Sequence, residues 1–348
     1  MLKRLARISA LICLTLCFLT TTATHAHDGA KAQRVRREVA VTFDDLPATN
    51  LVSTTAVREM TRKLLSRIKA HNVPVVGFVN EGKLWRDGKQ DEVLVSTLEM
   101  WLDAGFELGN HTYSHPNLHT MTLVDYEADV VRGETLIRDR LRQKGMRLRY
   151  FRHPHLYTGQ TLETKQSLDK FLSERGYEIA PVTVDNADYI FAFVYADAKR
   201  RGDRATMKRL ADAYIPYMEQ MFEFFEKLSV DVAGYEIKQT LLVHANELNA
   251  DTFDQLVRMM RRRGYAFITL ERALQDKAYR LPDNYAGRRG VSWLHRWAIT
   301  KGMGNLIETE PEEPKWVREL FNARQRRAAS HRNRSTTVRQ NRSVAAAR

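Results

Sequence analysis

The chain has 348 residues, of which 43% are hydrophobic and 28% are charged, and these proportions are typical of a globular protein. They exclude a chain that is disordered throughout and a small domain held together by disulfides. The net charge of +13 belongs to the ends, because residues 1–38 carry +5 and residues 322–348 carry +8, which leaves residues 39–321 neutral. The folded part is therefore not expected to bind nucleic acid.

The first 26 residues have the organisation of a secretory signal peptide. The basic stretch MLKRLAR precedes the apolar stretch ISALICLTLCFLTT, and small residues near Ala26 suit signal peptidase. We expect cleavage after Ala26, a charged linker over residues 27–37, and a secreted or periplasmic protein; an uncleaved membrane anchor is the alternative. Because Cys13 and Cys17 both lie in this segment, the mature chain would have no cysteine, which excludes thiol catalysis and disulfides.

Beyond the linker, short β-branched runs alternate with amphipathic helical patterns. The predicted strands cover residues 39–43, 73–79, 106–110, 148–152, 177–184, 240–245 and 265–270. The predicted helices cover residues 54–70, 91–103, 122–143, 161–175, 197–229 and 251–263. Strands that alternate with helices in this way form parallel βα units, and closure into an α/β barrel is the expected arrangement.

Two segments do not fit a simple βα repeat. Residues 189–232 have aromatic and methionine side chains at helical spacing, which predicts an inserted helical pair with a packed core; a cofactor-binding box is the alternative. Residues 279–297 are expected to form an ordered loop that wraps the barrel or, alternatively, lines a sugar cleft. The folded domain is predicted to cover residues 38–321, with the barrel at 38–275. Residues 322–348 are predicted to be a basic disordered tail that attracts anionic cell-envelope polymers.

Polar residues follow five of the predicted strands, at the ends where βα-barrels place their active sites. These clusters are Asp44-Asp45, His111 to His115, Arg152 to His155, Asp185 to Tyr189, and His244. The sequence lacks a GxSxG elbow, an HExxH helix, a phosphate-binding loop and a GxGxxG turn. Each cluster alone has a structural explanation, since paired aspartates often cap helices and a single strand histidine is often structural. Five such clusters at five strand ends indicate a functional site.

The residue types in these clusters suit a metal-dependent hydrolase. Two neutral imidazoles and one carboxylate leave a position open for water, which is typical of a catalytic zinc site. Such a metal lowers the pKa of water and polarises a carbonyl. Because adjacent side chains diverge on an extended strand, the two neighbouring aspartates are expected to have different tasks, one as a ligand and one as a proton acceptor.

In this order, the segments TFDD, HTYSH, RHPH, DNADY and LLVH resemble the five motifs of the NodB-homology polysaccharide deacetylases, carbohydrate esterase family 4. The resemblance covers about residues 38–275 and implies a distorted (β/α)7 barrel. It implies one divalent metal ion, usually Zn²⁺, bound by Asp45, His111 and His115. The other roles it implies are a general base at Asp44, an orienting cation at Arg152, a general acid at His244 tuned by Asp188, and an oxyanion-binding backbone N–H near His155.

Two residues depart from the family pattern, which usually has Tyr or Phe at the position of His155 and Trp at the position of Tyr189. Because the backbone N–H near His155, and not the side chain, would bind the oxyanion, the chemistry is expected to be retained. Both residues border the substrate cleft, so the identity of the sugar stays open. Asp185 is interpreted as a structural cap, and His119 and His153 as supporting, substrate-contacting or structural residues.

These observations favour an enzyme that removes acetyl groups from N-acetylated hexosamines of a polysaccharide such as peptidoglycan, chitin or an exopolysaccharide. Two alternatives stay open. The same fold and metal would also suit another acylated substrate, either an O-acetyl sugar or a non-sugar amide. A catalytically silent wall-binding homologue is the other.

Overall fold

The computed structural model describes residues 37–51 and 53–327, which form an α/β fold around a curled parallel sheet. The predicted signal peptide lies outside the described residues. The strands of the described part are β1 (Arg37–Leu46), β2 (Val75–Val79), β3 (Trp85–Arg86), β4 (Lys89–Gln90), β5 (Glu107–Asn110), β6 (Tyr150–Phe151), β7 (Glu178–Ile179), β8 (Gln239–His244) and β9 (Tyr265–Phe267). The pair β3–β4 is a separate antiparallel hairpin that was not predicted.

The main sheet has the strand order β7-β6-β5-β2-β1-β8, and β9 pairs with the first residues of β1. Every neighbouring pair in it is parallel. An isolated parallel bridge between Val184 and Leu241 joins the segment after β7 to β8, so the sheet curls back on itself. The predicted fold class, an α/β fold of the distorted (β/α)7 type, is confirmed.

Strand β1 lies at the centre of this sheet and is buried on both faces. Val39 to Phe43 have almost no exposed surface, as expected of a parallel strand covered on both sides. Because all the main strands are parallel, the carboxyl ends of β1, β5, β6 and β8 lie at one edge of the sheet. The polar clusters noted in the sequence follow these ends.

The described helices are α1 (Thr54–Ala70), α2 (Glu92–Asp103), α3 (Leu123–Arg132), α4 (Thr135–Gln143), α5 (Leu162–Glu174), α6 (Asp188–Arg200), α7 (Arg204–Ala233), α8 (Glu247–Arg262), α9 (Leu270–Leu274), α10 (Trp293–Thr300) and α11 (residues 315–327). In the described ranges no helix has both the length and the hydropathy needed to cross a bilayer.

Two predicted helices are each divided in the structure. The helix expected over residues 122–143 is interrupted between α3 and α4 at Gly133, whose position would put a Cβ atom 2.4 Å from the carbonyl carbon of Thr112. The helix expected over residues 197–229 begins earlier and is interrupted at Gly202, which has a left-handed φ of 69°. The result is the predicted helical pair, α6 and α7.

Aromatic side chains hold this inserted pair together. The ring of Phe191 on α6 lies 5.5 Å from that of Tyr214 and 5.3 Å from that of Tyr217, both on α7. All three are buried, as are Met218 and Phe222. These side chains therefore pack in a core, as predicted.

The carboxyl-terminal part of the domain contains more helix than predicted. The segment expected to be an ordered loop over residues 279–297 includes the start of α10, whose first turn is capped by the Ser292 hydroxyl. Residues 322–327 were expected to be disordered but continue α11, because Phe321 packs on Phe193 at 5.2 Å and Arg324 forms an ion pair with Asp197 at 2.9 Å. The rest of the predicted tail lies outside the described residues.

Candidate active site

A cleft of about 810 Å³ opens at the carboxyl ends of the strands, and residues from all five polar clusters line it or support its lining. Of the residues predicted from the sequence, those that line it are Asp44, Asp45, His111, His115, His155, Tyr189 and His244. The other two lie behind this lining, Arg152 against Asp44 and Asp188 against His244. The structure therefore brings all nine predicted residues together.

The end of β1 directs two neighbouring carboxylates into the same cleft. The pairing register between β1 and β2 shifts between Phe43 and Leu46, and Asp45 has a left-handed φ of 69°. Such a backbone conformation is uncommon for a residue other than glycine. Adjacent side chains diverge on an extended strand, but β1 is not extended at Asp45, so the two aspartates are not separated in this way. The two carboxylates differ in their partners instead.

Asp44 is paired with a fully buried guanidinium. Nη1 of Arg152 lies 3.3 and 3.2 Å from the two carboxylate oxygens of Asp44. Nε of Arg152 donates to the carbonyl of Ala180 at 2.7 Å, and Nη2 donates to the hydroxyl of Thr42 at 3.0 Å. These bonds fix the guanidinium plane. Burial raises the pKa of Asp44 to about 6, even though the charges of Arg152 and His244 oppose the change.

Asp45, His111 and His115 offer side-chain ligand atoms that all lie within 4.8 Å of one another. The Nδ1–H of His111 donates to the carbonyl of Arg152 at 2.8 Å, because a carbonyl only accepts, and Nε2 is then left with its lone pair. Burial lowers the pKa of His111 well below its usual range, and it lowers the pKa of His115 to about 4. Both rings are therefore neutral at physiological pH, as metal ligation requires.

Asp45 completes a donor set that fits a divalent metal ion. Burial alone would raise the pKa of Asp45, but the charge of Lys83, with smaller contributions from nearby histidines, holds it well below its usual range. Nζ of Lys83 lies 2.9 Å from Oδ1 of Asp45. One anionic oxygen and two neutral imidazole nitrogens are the ligands of many catalytic zinc sites.

The loop that carries the two histidines is held by Asn110 and Gly133. Nδ2 of Asn110 donates to the carbonyl of Val130 at 3.0 Å, and its Oδ1 accepts from the backbone N–H of Thr112 at 2.7 Å. Thr112 has a left-handed φ of 67°, and its hydroxyl accepts from the N–H of His115 at 3.1 Å. These contacts turn the chain so that His111 and His115 lie with ring centroids 4.9 Å apart.

Across the cleft, His244 is held by a buried carboxylate. Nδ1 of His244 lies 2.7 Å from Oδ1 of Asp188, and the other carboxylate oxygen accepts from the His244 backbone N–H at 2.9 Å. The side-chain amide of Asn249 also donates to that oxygen at 2.8 Å. Burial lowers the pKa of His244, but the charge and hydrogen bond of Asp188 outweigh this effect and raise it to about 9.

The two residues that depart from the family pattern both border the cleft. His155 has a left-handed φ of 56° and its ring centroid lies 4.4 Å from that of His115. Tyr189 is 46% exposed, and its ring lies 6.3 Å from both His244 and Phe321. Their side chains are therefore placed to contact a substrate.

The remaining polar residues of the clusters differ from expectation in one case. Asp185 was interpreted as a structural cap, but the N–H of Asp188 at the start of α6 donates to Oδ1 of Asn186, while Oδ1 of Asp185 accepts from the N–H of Asn186 at 2.8 Å and Asp185 lines the cleft. His153 is fully buried against the Phe151 ring, and neither ring nitrogen has a hydrogen-bond partner in the described part of the chain. His119 stacks on Tyr157 with centroids 4.0 Å apart.

Sequence reasoning missed a second groove of about 590 Å³ that shares Asp45 and Tyr189 with the main cleft. Lys83 and Trp85 line it from the segment after β2, and Phe321 lines it from α11. The position of Lys83 and Trp85, shortly after a parallel strand, is a signal that was available in the sequence. The contribution of α11 was not, because it depends on where the end of the domain packs.

The fold and the site define an α/β barrel with a candidate metal centre at the carboxyl ends of its strands. Residues 31–180 match the family model described as polysaccharide deacetylase. The matched segment contains Asp44, Asp45, His111, His115 and Arg152. It ends before Asp188 and His244.

Among curated proteins, the chain is similar to a peptidoglycan-N-acetylglucosamine deacetylase of Bacillus cereus, with 29% identity over 154 residues, which are 44% of this chain and 47% of that protein. It is also similar to a chitin deacetylase of Colletotrichum lindemuthianum, with 29% identity over 151 residues, 43% of this chain and 52% of that protein. The chain spans about half the length of these relatives. A CE4 family pseudoenzyme from Bacillus anthracis has a similar solved structure, with 15% identity, a TM-score of 0.45, and coverage of 69% of this chain and 66% of that chain.

Proposed function

We propose that this protein is a metal-dependent deacetylase that removes N-acetyl groups from amino sugars of a polysaccharide. The observation that carries the proposal is the placement of two differently tuned proton-transfer groups beside one candidate metal centre. Asp44 and His244 are direct neighbours in the pairing of β1 with β8. Each has a buried partner of opposite charge, Arg152 for Asp44 and Asp188 for His244.

Asp45, His111 and His115 would hold the metal ion, which we propose to be Zn²⁺ because of the donor set. When bound, such an ion supplies positive charge that polarises the acetyl carbonyl and lowers the pKa of a water molecule. Nδ1 of His111 is hydrogen-bonded to the Arg152 carbonyl, so the orientation of the imidazole ring is fixed before a metal ion binds.

Asp44 would act as the general base. Its pKa of about 6 makes it a carboxylate at neutral pH, and a stronger base than an exposed aspartate. Arg152 is anchored by two further hydrogen bonds, to the carbonyl of Ala180 and the hydroxyl of Thr42, and keeps the carboxylate in one orientation. The attacking water transfers a proton to Asp44 while its oxygen bonds to the carbonyl carbon.

His244 would act as the general acid. Its raised pKa keeps the ring protonated at neutral pH, and Asp188 holds Nδ1 so that Nε2 carries the proton that is transferred. The carbon–nitrogen bond breaks as the nitrogen takes this proton, which gives acetate and a free amine. We assign the backbone near His155, which has a left-handed φ of 56° and lines the cleft, to the oxyanion of the transition state.

A polymeric substrate suits the shape of the site. The cleft and the second groove adjoin at Asp45 and Tyr189, so the candidate metal centre lies between two openings. Trp85, 40% exposed in the second groove, offers an aromatic face of the kind on which sugar rings stack. The similar proteins named for peptidoglycan and chitin support an N-acetylated glycan.

The proposal is tested with purified protein, loaded with zinc or treated with chelator, on peptidoglycan, chitin oligomers, an N-acetylated exopolysaccharide and an O-acetylated glycan. Equal release of acetate and free amine that depends on metal supports an N-deacetylase. Acetate without amine indicates an esterase. Metal binding without any release indicates a catalytically silent homologue and refutes the proposal.

We also propose that residues 1–26 direct export and that the Arg-rich residues after 327 contact the anionic cell envelope. The support is the sequence pattern alone. Amino-terminal sequencing of protein from a periplasmic fraction should begin at residue 27, and an intact Met1 in the cytoplasm would contradict export. Removal of residues 328–348 should reduce retention on envelopes at low salt but not turnover of soluble oligomers.

A further inference from the structure

One wall of the cleft is acidic, and the proposed chemistry does not use the side chains that form it. The segment after α10 supplies most of them, and one comes from the segment after β7. The acidic wall consists of Asp185, Glu308, Glu310, Glu312 and Glu313. Two arginines, Arg289 and Arg318, and no lysine line the same cleft, so the wall has three more negative than positive charges when all groups are ionised.

The two arginines leave this wall with a net negative charge. Arg318 forms an ion pair with Glu313, which already accounts for one carboxylate. The charge of the exposed Arg289 lowers the pKa of Glu310, but burial and the charge of Asp185 outweigh this effect and raise that pKa to about 7. A positive group that entered the cleft would therefore be stabilised at Glu310.

His295 gives an independent indication that a ligand binds at this point. It is 3% exposed, and its Nε2 has no hydrogen-bond partner in the described part of the chain. This nitrogen lies 3.8 Å from Oε2 of Glu310, and both residues line the cleft. Burial lowers the pKa of His295 to about 4, so the ring is neutral and does not compensate the carboxylate. In its Nδ1–H tautomer it offers a lone pair to a donor next to Glu310.

We propose that the acidic wall selects glycans that already contain free amino groups next to the N-acetyl group to be removed. The inference rests on the proposed deacetylase function and names its substrate class, a partially deacetylated glucosamine polymer. The amine of a glucosamine unit takes up a proton near neutral pH and below and becomes an ammonium cation, whereas an N-acetylated unit is neutral and a peptide-bearing wall glycan is anionic. Acidic side chains beside the site attract a glucosamine unit and repel a peptide-bearing wall glycan.

This selection has a consequence for the order of the reaction. Each deacetylation produces an amine, and that amine would strengthen the binding of the neighbouring acetylated unit. A preceding amide hydrolysis on the same polymer must supply the first amines. The initial substrate is therefore expected to be poor and its partly processed form good.

The test compares kcat/KM of the full-length, zinc-loaded protein on two tetramers of glucosamine, one fully N-acetylated and one with a single N-acetyl group. At low salt the wild type should favour the amine-bearing tetramer about tenfold, and added salt should reduce this preference. Glu310→Gln combined with Glu312→Gln should lower the ratio about fivefold, since each partly exposed ion pair changes affinity by a few-fold. Glu310→Asp should retain most of the preference.

Glu319→Gln is the matched control, because Glu319 lies on α11, is well exposed, pairs with Lys315 and does not line the cleft. Its ratio should equal that of the wild type. A wild type without preference for the amine-bearing tetramer, or a preference that survives in the double variant, overturns the selection. Absence of acetate from both tetramers and from polymeric substrates refutes the deacetylase function itself.

Discussion

Asp188→Asn tests the proposed general acid, because it removes the charge that raises the pKa of His244. The pKa of His244 is about 9, compared with an ordinary value of 6.5, and burial acts in the opposite direction. Without the Asp188 charge the pKa should fall to 6.5 or lower. At pH 8 the protonated fraction of the ring would then drop from about nine-tenths to about 3%.

The alkaline limb of the pH–rate profile should accordingly move to lower pH by about 2.5 units, with a loss of about 30-fold at pH 8 and a smaller loss near pH 6. A bound metal ion adds positive charge and moves the alkaline limb of both proteins' profiles to lower pH, so the quantity to compare is the difference in pH between the two alkaline limbs. The assay is acetate release from a soluble oligomer across pH, with metal content and thermal unfolding measured in parallel.

Asp185→Asn is the matched control, since it removes a carboxylate from the same cleft that makes no hydrogen bond to His244. Its alkaline limb should move much less than that of Asp188→Asn. An alkaline limb that stays in place in a folded, metal-loaded Asp188→Asn protein would refute the assignment of Asp188 and His244.

Two further predictions concern the groups that hold the site in place. Arg152→Met should leave Asp44 as a buried carboxylate without its cation, which should destabilise the fold by about 3–5 kcal/mol in chemical unfolding. It should also move the acid limb of the pH–rate profile to higher pH, and an unchanged acid limb would contradict the pairing. Gly133→Ala should force the Thr112 backbone away, lower the free energy of unfolding by about 1–3 kcal/mol and weaken zinc binding because the His115 loop is displaced. Unchanged unfolding together with unchanged zinc affinity would disprove this.

The position of the site followed from a general property of parallel sheets. Because all parallel strands end at one edge, the polar residues after β1, β5, β6 and β8 had to converge, and the sequence order of the clusters was enough to predict the cleft. Local backbone geometry was not predictable in the same way. The left-handed φ of Asp45 depends on the shifted register between β1 and β2, which is a tertiary feature.

The errors in the predicted elements have related causes. A single glycine such as Gly133 does not rule out a helix in a sequence pattern, so a continuous helix was predicted. Only the close approach of the Thr112 backbone to Gly133 shows why α3 ends there. The hairpin β3–β4 has two residues per strand, too few for a periodic pattern. Helix α11 has Trp316, Val317, Leu320 and Phe321 at helical spacing near its start and ends in an arginine-rich stretch, but its own sequence does not show which part of the domain Phe321 packs against.

The most direct test of the proposed site is to compare Asp44→Asn with Asp45→Asn, measuring metal content by elemental analysis beside turnover. General-base catalysis typically contributes about 10²–10⁴-fold, so Asp44→Asn should keep its metal and lose about that much turnover. Asp45→Asn should lose metal affinity, and added zinc should restore part of its activity. A metal-free Asp44→Asn protein beside a loaded Asp45→Asn protein would reverse the two assignments, and two loaded and active variants would place the chemistry elsewhere.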